Sequence, residues 1–261
     1  MPDAPSFSLT GKVILQAGGS GLLGRTLIRG LAASGATLVV ASRDAAQLET
    51  LAATQRAAGR TVHAEQVDIG DEASIHALRD RIVQQFGRLD GLVFNAVSRP
   101  MRSMSDDLSA WRASMDTNAT GFFACVRACG DAMAKAGGGS IVNIASMQGL
   151  IGMNPWLYEG TTMTAPPDYF FHKGGMINLT RYLASHYGPQ RVRVNVVSPG
   201  GIYNADKPQA PAFLERYAKT TMLGRMAEPP EVSGAVVFLL SDASTYITGT
   251  NLVVDGGYTA K

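Results

Sequence analysis

The strongest indication of how this chain folds comes from a glycine-rich stretch, Gly18-Gly19-Ser20-Gly21-Leu22-Leu23-Gly24. It follows a short apolar run at 13–15 and precedes a segment, 22–33, whose apolar residues recur at helical intervals. The run predicts a buried β-strand, and the segment predicts a helix. Between them, glycines let the backbone turn tightly and approach a pyrophosphate, which then meets the positive end of the helix. The stretch therefore predicts a strand–turn–helix unit that binds a dinucleotide.

Short aliphatic and β-branched runs alternate with helical patterns along the rest of the chain. Further strands are predicted at 37–40, 62–67, 91–94, 139–144, 192–197 and 251–254. Helices are predicted at 44–58, with Asp44 near the N-cap, and at 73–86, 108–133, 169–187 and 231–240. This alternation indicates a parallel sheet with helices on both faces, joined by right-handed crossovers. We therefore predict an α/β fold, a doubly wound, Rossmann-like parallel sheet of about seven strands, in a single domain over 1–261.

Two stretches, 148–168 and 200–228, fit neither pattern. Long irregular segments inside a compact domain are usually functional. Both follow predicted strands, and ligands of open α/β sheets bind at the carboxyl ends of strands, so we predict that both are substrate loops. In the first, Trp156 and Tyr158 could stack on a sugar face or line an apolar pocket. Asn154 and Glu159 could bind hydroxyl groups, whereas a packed surface loop or a subunit contact is the alternative.

Composition and charge argue against several classes of protein. The 261 residues are 46% hydrophobic and 17% charged, which favours a compact fold over disorder. A net charge of +2 without a basic stripe argues against nucleic-acid binding. No apolar run approaches the roughly 18 residues of a membrane span, and the segment 1–6 lacks the features of an export signal, so a cytoplasmic protein is expected. The four histidines show no metal-ligand spacing, so no metal site is predicted.

Tyr169 and Lys173 stand four residues apart at the start of a predicted helix. Residues i and i+4 share a helix face, so an ammonium would lie beside a phenol. A free phenol has a pKa of about 10, and a nearby cation lowers that pKa toward the range useful for acid–base catalysis. A second pair with this spacing, Tyr203 and Lys207, lies just before Pro208 in a stretch that indicates a loop. We therefore predict that the first pair is catalytic and the second is not.

The residues after the second predicted strand bear on which dinucleotide binds. In dinucleotide-binding folds, the residue near the end of this strand normally contacts the adenosine ribose. Ser42 and Arg43 could hold a 2′-phosphate, so we predict NADP(H). Asp44 keeps NAD(H) possible, because an acid there would accept from a 2′-hydroxyl, although it could be only a helix cap. Asp68, after the third strand, could accept a hydrogen bond from adenine or be a surface turn residue.

Taken together, these residues resemble the short-chain dehydrogenase/reductase family, in its single-domain branch, over nearly the whole chain. Motifs similar to those of the family are Asn95-Ala96 after the fourth strand, Asn118 within 116–121, Ile141-Val142-Asn143-Ile144-Ala145-Ser146, Ser198-Pro199-Gly200, and 246–249 followed by 253–257. Their order and spacing make the resemblance, rather than any single motif.

The resemblance implies hydride transfer between a nicotinamide C4 atom and a carbonyl or secondary alcohol. Tyr169 would exchange the proton with the substrate oxygen, and Lys173 would lower the pKa of that tyrosine and bind the nicotinamide ribose. Ser146 would hydrogen-bond the substrate oxygen, and Asn118 would position a water linking Lys173 to solvent. Asn95 would support the backbone on the cofactor side. The cofactor-binding residues are then Gly18, Ser20, Gly21, Leu23, Ser42, Arg43, Asp68, Ile69, Asn95, Ala96, Tyr169, Lys173, Pro199, Gly200 and Ile202.

The chain departs from the family pattern at four positions. Ala17 precedes the first glycine, where the family usually has threonine, and Leu22 stands where the single-domain branch has glycine. Val97 replaces the last glycine of the fourth-strand motif, and Asn204 stands where a threonine often contacts the nicotinamide amide. None of these changes removes a reacting group. They bear instead on the geometry around the pyrophosphate and on the contacts to the carboxamide.

Several activities are compatible with these residues. We predict an NADP(H)-dependent oxidoreductase that interconverts a secondary alcohol and a ketone of a sugar or polyol derivative. The alternative is a reductase of a 3-oxoacyl or other apolar ketone. Its apolar walls could come from Met101, Met104, Met153, Met163 and Phe170. A nucleotide-sensing protein without chemistry would be expected to lack Ser146, Tyr169 or Lys173, and an epimerase of the longer branch is disfavoured because only 255–261 follow Val254.

The resemblance also bears on partners. It implies a small-molecule substrate and a homo-oligomer, either a tetramer or a dimer, built through the long helices and the C-terminal segment. The segments 231–240 and 252–254 are apolar enough to contribute to such contacts. Neither a nucleic acid nor a membrane is expected as a partner.

Overall fold

A single parallel sheet organises the part of the chain, residues 6–260, that the computed structural model describes. Its strands are β1 (Val13–Ala17), β2 (Thr37–Ser42), β3 (Val62–Gln66), β4 (Gly91–Phe94), β5 (Gly139–Ile144), β6 (Val192–Pro199) and β7 (Asn251–Val254). Their order across the sheet is β3-β2-β1-β4-β5-β6-β7, and every neighbouring pair is parallel. The predicted doubly wound α/β fold with seven strands is confirmed. Apart from Ser6, the segment 1–6, which is predicted to lack an export signal, lies outside the described residues.

The helices cover both faces of this sheet. They are α1 (Leu22–Ala33), α2 (Ala45–Ala57), α3 (Glu72–Phe86), α4 (Leu108–Met115), α5 (Phe122–Lys135), α6 (Pro155–Tyr158), α7 (Pro167–Tyr187), α8 (Pro211–Thr220) and α9 (Pro230–Leu240). Apolar side chains of α1, α2 and α9 form the core on one face, and those of α3, α5 and α7 form the core on the other. No helix within residues 6–260 is long and apolar enough to cross a membrane.

The central strand shows why an apolar run marks this kind of sheet. All five residues of β1 are buried. Leu15 belongs to the core beneath α3, α5 and α7, whereas Ile14 belongs to the core beneath α1, α2 and α9. A strand covered on both faces has no solvent-exposed side, so its sequence is largely apolar. The one polar residue of β1, Gln16, donates through Nε2 to the Gly24 carbonyl oxygen at 2.9 Å. The strand order changes direction between β1 and β4, and ligands bind beside such a switch point.

The long helix predicted at 108–133 is wrong in one respect. The chain there forms α4, then a π-helical turn at Asp116–Gly121, and only then α5. Gly121 explains the tight packing at this turn, because a Cβ at this position would lie 2.1 Å from the Ile69 carbonyl oxygen. Wider π-turns inside helices occur often at functional sites, and this one contains Asn118.

The two stretches predicted as loops also contain short helices. The first holds a 3₁₀ turn at Met147–Gly149 and the helix α6, and α7 already begins at Pro167. The second holds α8. A small apolar cluster joins these helices, consisting of Met147, Leu157, Phe213, Tyr217 and Met226. The two stretches therefore pack on each other and form a separate layer beyond the carboxyl ends of β5 and β6.

Candidate active site

Close packing around the glycine-rich stretch leaves no room for side chains at two positions. Gly18 follows β1 with φ +89°, and a Cβ on it would lie 2.5 Å from the backbone nitrogen of Ala96. A Cβ on Gly24 would lie 2.7 Å from the carbonyl oxygens of Gly18 and Gly19. The first glycine lets the loop approach the end of β4, and the second lets α1 pack against the loop. These are the packing roles that the sequence pattern predicts.

Gly21 differs from these two glycines because its space is open. It is the N-cap residue of α1, no side chain caps the helix there, and a Cβ built on it would meet no atom within 4 Å. Arg25 fixes the neighbouring backbone, since its Nε donates to the Ser20 carbonyl oxygen at 2.9 Å. An uncapped helix N-terminus beside open space fits a pyrophosphate. Leu23, also predicted to bind cofactor, packs against the core under α1.

One cleft gathers most of the residues predicted to bind the adenosine side of a cofactor. Its lining includes the predicted Gly18, Ser20, Ser42, Arg43, Asp68, Ile69 and Ala96. It also includes residues that were not predicted, namely Ala41, Asp44, Val67, Val97, Ser98 and Thr117. Thr117 comes from the π-helical turn, which a regular helical pattern does not reveal. The carboxyl ends of β1, β2, β3 and β4 thus converge on a single elongated site.

After β2, Arg43 lines this cleft, whereas the carboxylate of the next residue, Asp44, caps the helix α2. The Asp44 carboxylate is the N-cap of α2 and accepts from the Gln47 backbone nitrogen at 3.0 Å. The Ser42 hydroxyl donates to the Asp44 carbonyl oxygen at 3.1 Å. Arg43 is exposed and makes no ion pair with any residue in 6–260. Its guanidinium is therefore available to an anionic ligand.

Asp68 closes a turn and also lines the cleft, and its contact to adenine stays a prediction. Its carboxylate accepts from the Gly70 backbone nitrogen at 2.9 Å, which closes a tight turn after β3. The same residue lines the cleft. A carboxylate has further lone pairs to offer, so the turn and a contact to a base are compatible.

Two asparagines hold the loop that follows β4. Asn95 donates through Nδ2 to the Gly18 carbonyl oxygen at 2.6 Å, and so ties β4 to the glycine-rich stretch. Asn118 lies in the π-helical turn and binds Ser98 twice: Oδ1 accepts from its backbone nitrogen and Nδ2 donates to its carbonyl oxygen, both at 2.8 Å. Nδ2 also donates to Ser114 Oγ at 2.9 Å. Both amide hydrogens of Asn118 are thus used in bonds to Ser98 and Ser114. A water could still donate to an oxygen of Asn118, and this contact stays a prediction.

Tyr169 and Lys173 lie on the same face of α7, as the four-residue spacing predicts. Lys173 Nζ is 5.6 Å from the centroid of the Tyr169 ring and donates to the Ile144 carbonyl oxygen at 2.7 Å. Ser146 follows β5 two residues after its end, is 8% exposed, and accepts through Oγ from the Gln148 backbone nitrogen at 3.2 Å. The carboxyl end of β5 thus brings the lysine and the serine into one region.

The far side of the site is formed by the segment after β6. Pro199 ends that strand, and a Cβ on Gly200 would lie 2.8 Å from Asp255 Cα, so the backbone passes close to the C-terminal segment. Ile202 forms an isolated parallel bridge with Ala227. Tyr203 and Lys207 lie in the turns that follow, outside any helix, so their four-residue spacing gives them no common helical face.

Comparison with known proteins identifies the family. Residues 20–259 match a family model described as enoyl-(acyl carrier protein) reductase. That match covers far more than half of the 261 residues. The chain belongs to the short-chain dehydrogenase/reductase family.

Three members of the family illustrate the similarity. A cis-4-hydroxycyclohexanecarboxylate dehydrogenase of Sinomonas cyclohexanicum is 36% identical, over 95% of this chain and 97% of its own. A D-threitol dehydrogenase of Mycolicibacterium smegmatis is 34% identical, over 98% of this chain and 95% of its own. The crystal structure of a gluconate 5-dehydrogenase of Burkholderia cenocepacia, in complex with NADP and tartrate, has a TM-score of 0.88 and 30% identity, over 98% of both chains.

Membership of this family settles the class of reaction. The chain is an oxidoreductase that acts on CH–OH groups, and enzymes of this family bind NAD(P). The expectation of an enzyme is confirmed. Among residues 6–260, no group of three or more His, Cys, Asp and Glu side chains is arranged to hold a metal ion.

In this dehydrogenase, burial sets the charge of the basic groups beside Tyr169. Burial, with a smaller contribution from the nearby charge of Arg99, lowers the pKa of Lys173 from 10.5 to about 7. Burial, together with Lys173 and Arg99, lowers the pKa of His172 to about 3. His172 is therefore neutral at pH 7, and its ring packs edge-on against Tyr169 with centroids 5.3 Å apart. Lys173 is therefore the basic group of this site that gains or loses a proton near pH 7.

The depressed pKa of Lys173 predicts how stability depends on pH. Below pH 7 the ammonium is charged in both the folded and the unfolded chain, so the cost of burying it is present in full. Between pH 7 and 10.5 the folded chain has released a proton that the unfolded chain keeps, so stability rises with pH. Lys173→Met removes this cost, so its free energy of unfolding should exceed that of the wild type most at low pH.

Urea unfolding of the cofactor-free proteins, below pH 7 and near pH 10, measures this difference. The advantage of Lys173→Met should shrink toward high pH. Lys207→Met, at an exposed lysine in the turn after β6, is the matched control. An advantage of Lys173→Met that is constant across the pH range would contradict the burial of a titrating ammonium.

Three residues of this site were not predicted from the sequence. Arg99 lies with its guanidinium carbon 5.0 Å from the centroid of the Tyr169 ring. His172 is buried beside the same ring. Tyr217 comes from α8, and its hydroxyl oxygen accepts from the Gly201 backbone nitrogen at 2.5 Å, which joins α8 to the segment after β6. Arg99 lies four residues after Asn95 in an irregular loop. No repeating pattern in the sequence there indicates which way its side chain points.

Proposed function

We propose that this chain is an NADP(H)-dependent dehydrogenase that interconverts a secondary alcohol and a ketone of a sugar or polyol derivative. The observation that carries the proposal is the placement of Lys173 beside the Tyr169 ring on one face of α7. The related D-threitol and gluconate 5-dehydrogenases support a polyhydroxylated substrate.

The chemistry of the site follows from three side chains. When bound, the nicotinamide accepts or supplies the hydride at its C4 atom. In the oxidative direction, the phenolate of Tyr169 would take the proton of the substrate hydroxyl while the carbon that bears this hydroxyl gives its hydride to the nicotinamide, which leaves a carbonyl group. Lys173 stabilises the phenolate by its charge, and Ser146 donates to the substrate oxygen. In the reductive direction, Tyr169 returns the proton to the carbonyl oxygen.

The cofactor site is assigned to the cleft and to the end of α7. The pyrophosphate would lie at the N-terminus of α1 next to Gly21, and the adenosine would contact Asp68 and Ile69. The nicotinamide half would lie toward Ala96, Pro199, Gly200 and Ile202, with Tyr169 and Lys173 at the reacting ring. The open space at Gly21 and the continuous lining of the cleft support this assignment.

Arg43 supports a preference for NADP(H) over NAD(H). It is exposed and unpaired at the cleft, whereas the neighbouring Asp44 is committed to capping α2. Arg43→Ala should lower kcat/KM for NADPH by about 10- to 100-fold, which corresponds to the loss of a hydrogen-bonded ion pair. The value for NADH should change little, because a 2′-hydroxyl carries no charge for Arg43 to bind.

Steady-state kinetics with both nucleotides test this preference. Arg29→Ala, at an exposed arginine on α1, removes the same charge away from the cleft and serves as the control. If the wild type prefers NADH, or if Arg43→Ala leaves the ratio unchanged, Arg43 does not select the cofactor.

The two short helices α6 and α8 favour the proposal of a substrate that carries several hydroxyl groups. Arg216 of α8 donates to the Trp156 carbonyl oxygen at 2.9 Å and to that of Glu159, and so holds α6 in place. Tyr158 accepts through its hydroxyl from Gln148 Nε2 at 3.0 Å. We propose that α6 and α8 cover the substrate and read its hydroxyl groups.

The alternative substrate class is a 3-oxoacyl or other apolar ketone. The exposure of Met104 (82%) and Met153 (50%) favours it, because exposed methionines can form apolar walls. A panel of polyols, keto sugars and 3-oxoacyl thioesters distinguishes the two classes. Turnover of thioesters alone would overturn the sugar or polyol proposal.

We also propose a single domain that assembles into a homo-oligomer in the cytoplasm. Phe123 on α5, and Phe171 and Tyr182 on α7, are exposed aromatic side chains on long helices. All four residues of the edge strand β7 are only partly buried. Apolar surface of this kind is typical of contacts between subunits. Light scattering that shows a monomer would refute the assembly.

A further inference from the structure

A guanidinium that nothing in the assigned mechanism uses lies against the catalytic tyrosine. The guanidinium carbon of Arg99 is 5.0 Å from the centroid of the Tyr169 ring, closer than Lys173 Nζ at 5.6 Å. Arg99 is exposed and makes no ion pair within residues 6–260. Within these residues, a cation without a paired carboxylate therefore lies beside the reacting group.

A chain of buried polar groups holds the loop that carries Arg99. Asn118 binds both backbone groups of Ser98, the residue that precedes Arg99. Ser114 accepts from Asn118 and donates to the buried Asp168 carboxylate at 2.5 Å. Asp168 in turn precedes Tyr169 in the sequence. One network thus connects the backbone of the residue before Arg99 with the side chain of the residue before Tyr169.

The charges around Arg99 are not balanced by the protein. Lys173 lies near the same tyrosine ring and is close enough to Arg99 for the two charges to interact, while His172 is neutral at pH 7. The acid nearest to Tyr169 in the sequence, Asp168, is 2% exposed and is bonded to Ser114. Two neighbouring cations repel each other, and an anionic ligand would relieve that repulsion.

We propose that Arg99 binds a carboxylate of the substrate, so that the alcohol oxidised at Tyr169 is that of a hydroxy acid. A planar guanidinium can hold a carboxylate through two parallel hydrogen bonds. The guanidinium of Arg99 lies against the same ring that carries the phenol oxygen. The carboxylate would therefore be separated from the reacting carbinol by only a short carbon chain. This inference rests on the proposed function and narrows its substrate to the acidic members, such as aldonic acids and hydroxycycloalkane carboxylic acids.

Two of the similar proteins agree with this chemistry. The dehydrogenase of Sinomonas cyclohexanicum is named for a hydroxycyclohexane carboxylate, and the gluconate 5-dehydrogenase of Burkholderia cenocepacia was crystallised with tartrate. Both molecules combine a secondary hydroxyl group with a carboxylate.

Matched pairs of substrates test the proposal. The pairs are cis-4-hydroxycyclohexanecarboxylate with its carboxamide, and gluconate with glucitol, each assayed by nucleotide reduction. The wild type should favour the acid of each pair by about 10- to 100-fold in kcat/KM, the range for a hydrogen bond to a charged group. Arg99→Met should reduce this ratio to near unity, mainly through KM for the acid, and Arg99→Lys should restore part of it.

Arg102→Met is the control for the loss of one positive charge in the same loop. Arg102 is exposed and follows Arg99 by three residues in the sequence. It should keep the preference for the acid. Circular dichroism checks that Arg99→Met folds, as expected for an exposed residue. A wild type that uses both members of each pair equally, or an Arg99→Met variant that keeps the preference, would overturn the inference.

Direct binding separates this inference from the proposed function. Calorimetric titration of tartrate into the enzyme–NADP⁺ complex needs no turnover. Wild-type affinity should exceed that of Arg99→Met at least about tenfold, and equal affinities would overturn the carboxylate site. If no alcohol in the panel is oxidised while tartrate binding depends on Arg99, the dehydrogenase proposal fails and the carboxylate site stands.

Discussion

Tyr169→Phe is expected to lower kcat/KM by about 10²- to 10⁴-fold, the usual contribution of a positioned acid–base group. The substitution removes only the phenol oxygen. The ring remains, and with it the packing against His172, Arg99 and Lys173. The affinity for NADP(H), measured by fluorescence titration, should therefore stay within about threefold of the wild type.

The structure offers a matched control for this experiment. Tyr203 has a lysine four residues later, like Tyr169, but it lies outside any helix. Tyr203→Phe should leave kcat/KM near the wild-type value. Turnover by Tyr169→Phe within about tenfold of the wild type would contradict its assignment as the proton donor and acceptor.

Gly21→Val is expected to weaken NADP(H) binding on the order of 100-fold, equivalent to about 2.7 kcal/mol. The reason is steric. A Cβ at this position meets no protein atom within 4 Å, so the branched side chain would occupy only the space assigned to the pyrophosphate. The fold should tolerate it, and the melting temperature without cofactor should change by no more than about 3 °C.

Gly234→Ala on α9 is the control, because a Cβ there also meets nothing within 4 Å. It should alter neither cofactor binding nor melting temperature. Titration with NADPH and with NADP⁺ measures the affinities. If Gly21→Val binds the nucleotide as tightly as the wild type, the pyrophosphate does not lie at the N-terminus of α1.

Sequence alone predicted the sheet because its strands obey a simple physical rule. Strands such as β1 and β2 are covered on both faces, so most of their residues are apolar and the run is easy to recognise. The glycine-rich stretch was also informative, since Gly18 and Gly24 fill places where a Cβ would overlap backbone atoms. Only glycine fits at these positions, whether the crowding atoms are near in the sequence, as for Gly24, or distant, as for Gly18 beside Ala96.

The parts that sequence did not predict depend on contacts between distant segments. The helix α8 begins at Pro211, three residues after Pro208, and it packs on α6 through Phe213 and Tyr217. The π-helical turn depends on Gly121 passing close to Ile69. Arg99 reaches Tyr169 because Asn118 clamps the backbone of Ser98. None of these contacts leaves a period of two or of 3.6 in the sequence.

The assigned roles of Tyr169 and Lys173 depend on where the reacting ring of the cofactor lies. A crystal structure of the enzyme with NADP⁺ measures this directly. We expect the nicotinamide C4 atom to face the Tyr169 hydroxyl, Lys173 to contact the nicotinamide ribose, and the 2′-phosphate to contact Arg43. A nucleotide bound with its nicotinamide away from Tyr169, or a tyrosine hydroxyl closed off from the cleft, would contradict the assignment of this site.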